Sequence, residues 1–314
     1  MKKTIYNFIR FLRPRQWIKN IAVFAAITFT GHLLEWDNLQ KVFLGFIVFC
    51  SVSSAIYIIN DIFDREKDKL HPFKQFRPLA HGDIPIHTAA IVSIALIIIS
   101  FIGSLAVTPA FSLSVIVYVF IQVSYSVLLK NIAVIDILIL AAGYILRVYA
   151  GEFASGFHIS VWLLLTTISL SLFLAVGKRR SELTLVSSYT TEKITHIRQT
   201  LSHYSERLLD VYASIFATST FISYALFTFF DNPNGFKISL GILMPDFLPA
   251  YFQRKWLMIT ILPVVYGLMR YLQDIYEKHE GESPEKVLLS DFPLIITVGV
   301  WIFLVILIIY VVGL

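Results

Sequence analysis

Cysteine is nearly absent: Cys50 is the only one in 314 residues, and it sits in an apolar run. That excludes a disulfide framework and removes any sequence sign of an oxidising compartment. Charge is scarce too, with Asp, Glu, Lys and Arg making up 15% of the chain. No Ser-His-Asp or Cys-His constellation stands out. None of the 8 His residues has metal-ligand spacing with another His or with the Cys, which argues against a tetrahedral N/S metal site. His71 and His81 read as loop residues. No low-complexity stretch or long soluble domain interrupts the chain. The D-G…A-R…G…D…D pattern of a CDP-alcohol phosphotransferase is missing.

What the chain does have is apolar length. Hydrophobic residues reach 57% and the mean hydropathy is +0.73, more than a soluble core can hide. Nine candidate spans of roughly 17–25 residues, enough to cross a bilayer, lie near 18–34, 42–60, 86–107, 110–129, 132–151, 160–177, 208–230, 256–273 and 292–313. The pattern predicts an all-α integral membrane protein in one polytopic domain, 1–314. No small-residue cleavage site follows the first apolar run, so it reads as a retained helix. "TPAFS" (108–112) predicts a tight hairpin between the third and fourth spans, and Pro85, Pro245 and Pro293 mark other joints. Residues 4–12 read as a short interfacial helix with Ile5, Phe8 and Leu12 on its apolar side.

Lys and Arg set the orientation. Of the 26 such residues, 21 fall on the side of the N-terminus and even-numbered loops. Only Lys41, Lys237, Arg254 and Lys255 fall opposite, and Arg147 lies inside the fifth span. The positive-inside rule places the N-terminus and the loop after the second span in the cytoplasm, at the inner (plasma) membrane. The net charge of +5 is therefore a topology signal and not a nucleic-acid footprint, because the bases are spread over separate loops.

The second span ends in "NDIFDREKD" (60–68). On a helix, Asp64 lies about −60° and Asp68 about −20° from Asp61, with Asn60 near −100°. Three carboxylates and an amide therefore share one face. Clustered acids repel unless a cation intervenes, and Mg²⁺ suits oxygen donors shared with substrate phosphates. The plainer reading is a solvated helix end, with Asp64 and Asp68 paired to Arg65, Lys67 and Lys69. Asn60 and Asp61 lie at the end of an apolar span, where ionisable groups are costly, and this favours the metal–phosphate reading. The His71-Pro72 step predicts the helix end. Inside the fifth span, Arg147 follows Asp136 by eleven residues, about three turns. The two are expected on one side, as an ion pair or as substrate contacts. Lys130, with Tyr125, is a further candidate phosphate contact.

"NDIFDREKD" resembles the N-D-x-x-D-x-x-x-D motif of the UbiA superfamily of intramembrane prenyltransferases, and "HPFKQFRPLAHGDI" (71–84) resembles its K-x-R-P-L…G segment. The resemblance implies a nine-helix bundle with a cytoplasm-facing active-site cavity. It also implies Mg²⁺ held by Asp61, Asp64, Asp68 and Asn60, with a diphosphate leaving group met by Arg65, Lys74 and Arg77. "LRPRQWIKN" (12–20), the stretch 125–156, "LFLAVGKRRSEL" (172–183) and "GESPEKVLLSD" (281–291) are similar to the branch that transfers phosphoribose from phosphoribosyl diphosphate to a polyprenyl phosphate. That branch stands at the start of arabinose-donor supply for cell-wall arabinan. By the same resemblance Lys19 belongs at the donor, while Arg13 and Arg15 fit lipid headgroups and Trp17 fits an interfacial belt.

One departure agrees with that branch. Members that prenylate an aromatic ring carry a second Asp-rich motif after the sixth span, and here the loop reads "GKRRSEL". Lys178, Arg179 and Glu182 become candidates for substrate phosphate, since bases meet phosphate directly. The same "KRR" also serves as a topology determinant. Arg180, about 200° around the helix from Lys178, is expected to face headgroups. An aromatic prenyltransferase remains the alternative enzyme. A transporter built on inverted repeats with broken helices is disfavoured, because Gly and Pro are few inside the spans and polar residues crowd one membrane face. Oligomer formation and lipid chain length are left open.

Overall fold

The computed structural model of the chain describes residues 2–70, 74–187, 199–230, 256–277 and 284–312. The His71-Pro72 step, Pro245, Lys237, Arg254, Lys255 and the Ile5 side chain lie outside the described residues. Among the described residues the chain is a helical bundle without strands. Eight helices are long and apolar enough to cross a membrane. In chain order the elements are α1 (Lys2–Leu12), α2 (Ala25–Phe29), α3 (Trp36–Leu70), α4 (Pro78–His81), α5 (Ile86–Leu105) and α6 (Pro109–Val127), followed by α7 (Ile135–Ser155), α8 (Val161–Ser187), α9 (Glu206–Phe230), α10 (Ile261–Glu277), α11 (Pro284–Ser290) and α12 (Phe292–Ile306).

The expected first span departs from a regular helix. Pro14–Phe24 is a 3₁₀ helix that runs into the short α2. At about 2 Å per residue for the first part and 1.5 Å for the second, the pair covers roughly 30 Å. That matches the hydrocarbon thickness. Its two ends sit at opposite ends of the bundle, with Arg13 against Asp61 and Leu33 N donating to the Tyr310 hydroxyl at 3.0 Å. Among the described residues, eight long helices and this one broken segment are therefore long enough to cross a membrane. Asn20, Val23, Ala26 and Ile27 are all buried and form the inward face of this segment. Gly151 on α7 admits this segment, since a Cβ there would stand 1.9 Å from the Val23 carbonyl oxygen.

The central helix is α3. Its 35 residues reach about 52 Å, so one end overhangs the membrane and carries Asp61, Asp64 and Asp68. The expected hairpin is present between α5 and α6, closed by Thr108, whose hydroxyl accepts from Phe111 N at 3.1 Å with Pro109 in the first turn. Helix α1 forms where expected, but Phe11 is its buried anchor, packed in a cluster with Ile58, Leu79 and Ile84. Phe8 stays 42% exposed.

Candidate functional site

Three groups of polar side chains meet near the overhanging end of α3. The first is the acidic face. Asp61 and Asp68 are buried, and both are held by Arg77 Nη1, at 3.1 and 2.5 Å respectively. Arg77 comes from the turn before α4, where Pro78 starts the helix and Gly82 ends it at φ +92°. Arg13 also pairs with Asp61. Burial pulls the Arg13 guanidinium down, Asp61 outweighs it, and the net shift is upward. Lys130 Nζ lies 2.5 Å from Asp64 Oδ1. The plainer pairing of Asp64 and Asp68 with neighbours on their own helix is not what forms. Arg65 and Lys69 pair with Glu66, and Arg65 also donates to the Leu79 carbonyl at 3.3 Å. Asn60 lies half-buried at the start of the face, and Lys74 lies in the short turn Lys74–Phe76.

The donor set fits Mg²⁺ in kind. Among the described residues no three His, Cys, Asp or Glu side chains gather closely enough to cage a metal. Mg²⁺ seldom uses such a cage, and takes one or two carboxylates with waters and substrate phosphates. Asp61 and Asp68 already converge on a single point, which Arg77 Nη1 fills.

The second group surrounds a small pocket that opens to solvent. Lys19, Arg147 and Lys178 line it together with Tyr57, Tyr118, Gln122 and Tyr144. No carboxylate is among its described lining residues. Arg147 Nε donates to Asn20 Oδ1 at 2.6 Å, and its Nη2 donates to the Tyr118 hydroxyl at 2.8 Å. Its Nη1 donates to the Gly143 carbonyl. Gly143 leaves room there, as a Cβ would meet Gln122 at 2.8 Å and the guanidinium at 3.4 Å. Lys19 Nζ donates to Gln16 at 2.7 Å and lies 5.9 Å from the rings of Tyr57 and Tyr144. Tyr57 joins the two groups. It precedes Asp61 by one turn, and the Arg13 guanidinium lies 5.3 Å from its ring. Trp17 donates its indole N–H to the Ser54 hydroxyl at 2.9 Å.

The third group corrects two expectations. Asp136 does not pair with Arg147. Eleven helical residues place them on one face but about 16 Å apart along the axis, beyond the reach of two side chains. Asp136 Oδ2 instead lies 2.6 Å from Arg179 Nε of α8, both fully buried. Arg179 also holds Glu182 and donates to the Tyr125 hydroxyl at 2.9 Å. Tyr204 donates to Asp136 at 2.7 Å and accepts from Val134 N at 2.6 Å, which steadies Val134 at φ +69°, a strained angle for a β-branched residue. Burial, then the bond to Asp136, pushes the Tyr204 phenol up, so it remains a donor. Arg180 does not face headgroups: it binds Asp210 at 2.8 Å and Glu206 at 3.0 Å, tying α8 to α9.

Arg13, Asn20, Tyr57, Tyr118, Gln122 and Tyr144 were not singled out from sequence as site residues. A signal existed for part of the set. Tyr118, Gln122 and Tyr125 recur at four and three residues, one polar face on an otherwise apolar helix.

The profile described as the UbiA prenyltransferase family matches residues 21–290. Decaprenyl-phosphate phosphoribosyltransferase of Mycolicibacterium smegmatis is 35% identical over 306 residues, covering 96% of this chain and 92% of the relative. The protein of the same name in Corynebacterium glutamicum is 34% identical over 309 residues, covering 97% and 87%. A solved UbiA homolog from Archaeoglobus fulgidus, bound to GPP and Mg²⁺, superposes with a TM-score of 0.70 at 20% identity, over 96% of this chain and 99% of that one.

Proposed function

Because the chain belongs to the UbiA prenyltransferase family and is an integral membrane transferase, we propose that it transfers 5-phosphoribose from phosphoribosyl diphosphate to a polyprenyl phosphate, releasing diphosphate. The observation that carries this reading is the cavity lined by Lys19, Arg147 and Lys178, next to the acidic face. A prenyl chain and an aromatic ring carry one diphosphate between them. A phosphoribosyl donor and a phosphorylated lipid carry a diphosphate and two further phosphates, and this second basic chamber answers that anion load. The M. smegmatis and C. glutamicum relatives, similar over nearly their whole length, bear the name of this activity.

Asp61, Asp64 and Asp68, assisted by Asn60, would hold Mg²⁺, which when bound neutralises charge on the departing diphosphate. Arg13, Arg77 and Lys130 turn from their carboxylates to the diphosphate oxygens, with Lys74 and Arg65 at the rim. Lys19, Arg147 and Lys178 hold a phosphate in the cavity. An oxygen of the lipid phosphate attacks the anomeric carbon as the bond to the diphosphate oxygen breaks. A phosphomonoester with a second pKa of about 6 is largely dianionic at neutral pH, so the nucleophile needs no general base. Asp136, Arg179, Glu182 and Tyr125 position α7 and α8 around the cavity. The protein sits in the plasma membrane with the acidic face toward the cytoplasm, a placement supported by its excess of basic residues on that side.

The test offers purified protein labelled phosphoribosyl diphosphate with a polyprenyl phosphate and, separately, a polyprenyl diphosphate with 4-hydroxybenzoate. The expected result is a labelled phosphoribosyl lipid that requires Mg²⁺. Product from the second pair alone would move the chain to the aromatic branch, and substrate flux into liposomes without product would make it a transporter.

A further inference from the structure

A single guanidinium nitrogen stands where a bridging cation belongs. Arg77 Nη1 touches Asp61 Oδ1 at 3.1 Å and Asp68 Oδ2 at 2.5 Å, while Arg13 holds Asp61 and Lys130 holds Asp64. Arg77, Arg13 and Lys130 already compensate the three carboxylates, and Lys74 lies close enough to Asp68 to add to them. A divalent ion arriving alone must displace Arg77 and leaves two positive charges uncompensated. The same ion arriving with diphosphate brings phosphate oxygens that Arg77, Arg13 and Lys130 can take in exchange.

We propose that Arg77 gates metal occupancy: its guanidinium bridges Asp61 and Asp68 until a metal–diphosphate pair supplies phosphate oxygens in return, so that metal and donor load together. The proposal rests on the reading of this face as the Mg²⁺ site and adds to it the coupling of metal occupancy to donor binding through Arg77. Arginine suits the exchange: one nitrogen, Nη1, bridges both carboxylates, and the planar guanidinium can also grip phosphate at two points, which the point charge of lysine does not. Binding linkage makes the effect reciprocal: whatever draws Arg77 away tightens the metal, and metal binding in turn readies Arg77 for phosphate.

The experiment measures Mn²⁺ binding to the full-length purified chain by electron paramagnetic resonance, with no diphosphate present, in wild type, Arg77→Gln and Asp64→Asn. It then measures binding of inorganic diphosphate by calorimetry at saturating Mg²⁺. In Arg77→Gln, Mn²⁺ alone should bind about 5- to 150-fold tighter, the usual range of coupling between two binding events, and diphosphate should bind more weakly. Asp64→Asn should weaken Mn²⁺. Unchanged or weaker Mn²⁺ binding in Arg77→Gln overturns the gate, while the Asp64→Asn response still upholds the metal face. An unaltered Asp64→Asn response removes the metal face and the gate with it. If Arg77→Gln does not fold, Arg77→Lys serves in its place. It keeps the charge and loses the fork, and should still bind Mn²⁺ more tightly than wild type. A lowered unfolding midpoint without that gain would mark Arg77 as merely structural.

Discussion

Replacing Asp136 with Asn tests whether the buried network on α7 and α8 is scaffold or substrate site. Asp136 and Arg179 are both fully buried and 2.6 Å apart. Unit charges about 4 Å apart interact by ~4 kcal/mol at an effective dielectric of about 20. Removing one member of a buried pair costs roughly 3–5 kcal/mol, because the other charge is left behind. Here Glu182 stays on Arg179, so the cost of Asp136→Asn falls at about 3 kcal/mol, the low end of that range. At roughly 2 °C per kcal/mol for a long chain, the unfolding midpoint should drop by about 6 °C. Tryptophan fluorescence during heating in detergent reads this directly. A double-mutant cycle with Arg179→Gln should show coupling of about 1 kcal/mol or more, whereas a cycle with Arg147→Gln should be additive within about 0.5 kcal/mol. Coupling to Arg147 and none to Arg179 would refute the pairing. An unchanged midpoint with a raised KM for the donor would show that Asp136 serves substrate instead.

Asp64→Asn keeps the shape of the acidic face, and turnover should fall by a factor of ~10² or more, the scale for a lost electrostatic stabiliser; full activity with an unchanged Mg²⁺ response would remove the metal assignment. Lys178→Ala, which takes one of three cations from the cavity, should raise KM for the phosphorylated substrates and leave the Mg²⁺ titration where it is. Gly151→Ala forces a methyl group against the Val23 carbonyl, and should lower stability by about 3 kcal/mol, the upper end for overpacking, with a matching loss of folded yield on size exclusion. Arg180→Ala loosens a partly exposed tie between α8 and α9, and should cost about 1 kcal/mol of stability with KM unaffected.

The parts of the molecule legible in sequence are those set by one-dimensional patterns. Apolar length marked the crossings, and the period of α3 put Asp61, Asp64 and Asp68 on one face. Partnership between segments was not legible, because it depends on height along the bundle as well as on facing direction. Asp136 and Arg147 share a side, yet a rise of 1.5 Å per residue separates them, and Arg179 on the neighbouring helix lies at the right level. The same limit hid Arg13 and Asn20. Asn20 lies on the broken first segment and meets Arg147 at 2.6 Å, while Arg13 caps that segment in the left-handed conformation and meets Asp61. One stretch of chain thus serves the acidic face with Arg13 and the basic cavity with Lys19 and Asn20. Insertion of one residue between Arg13 and Lys19 should uncouple the two chambers while leaving each intact.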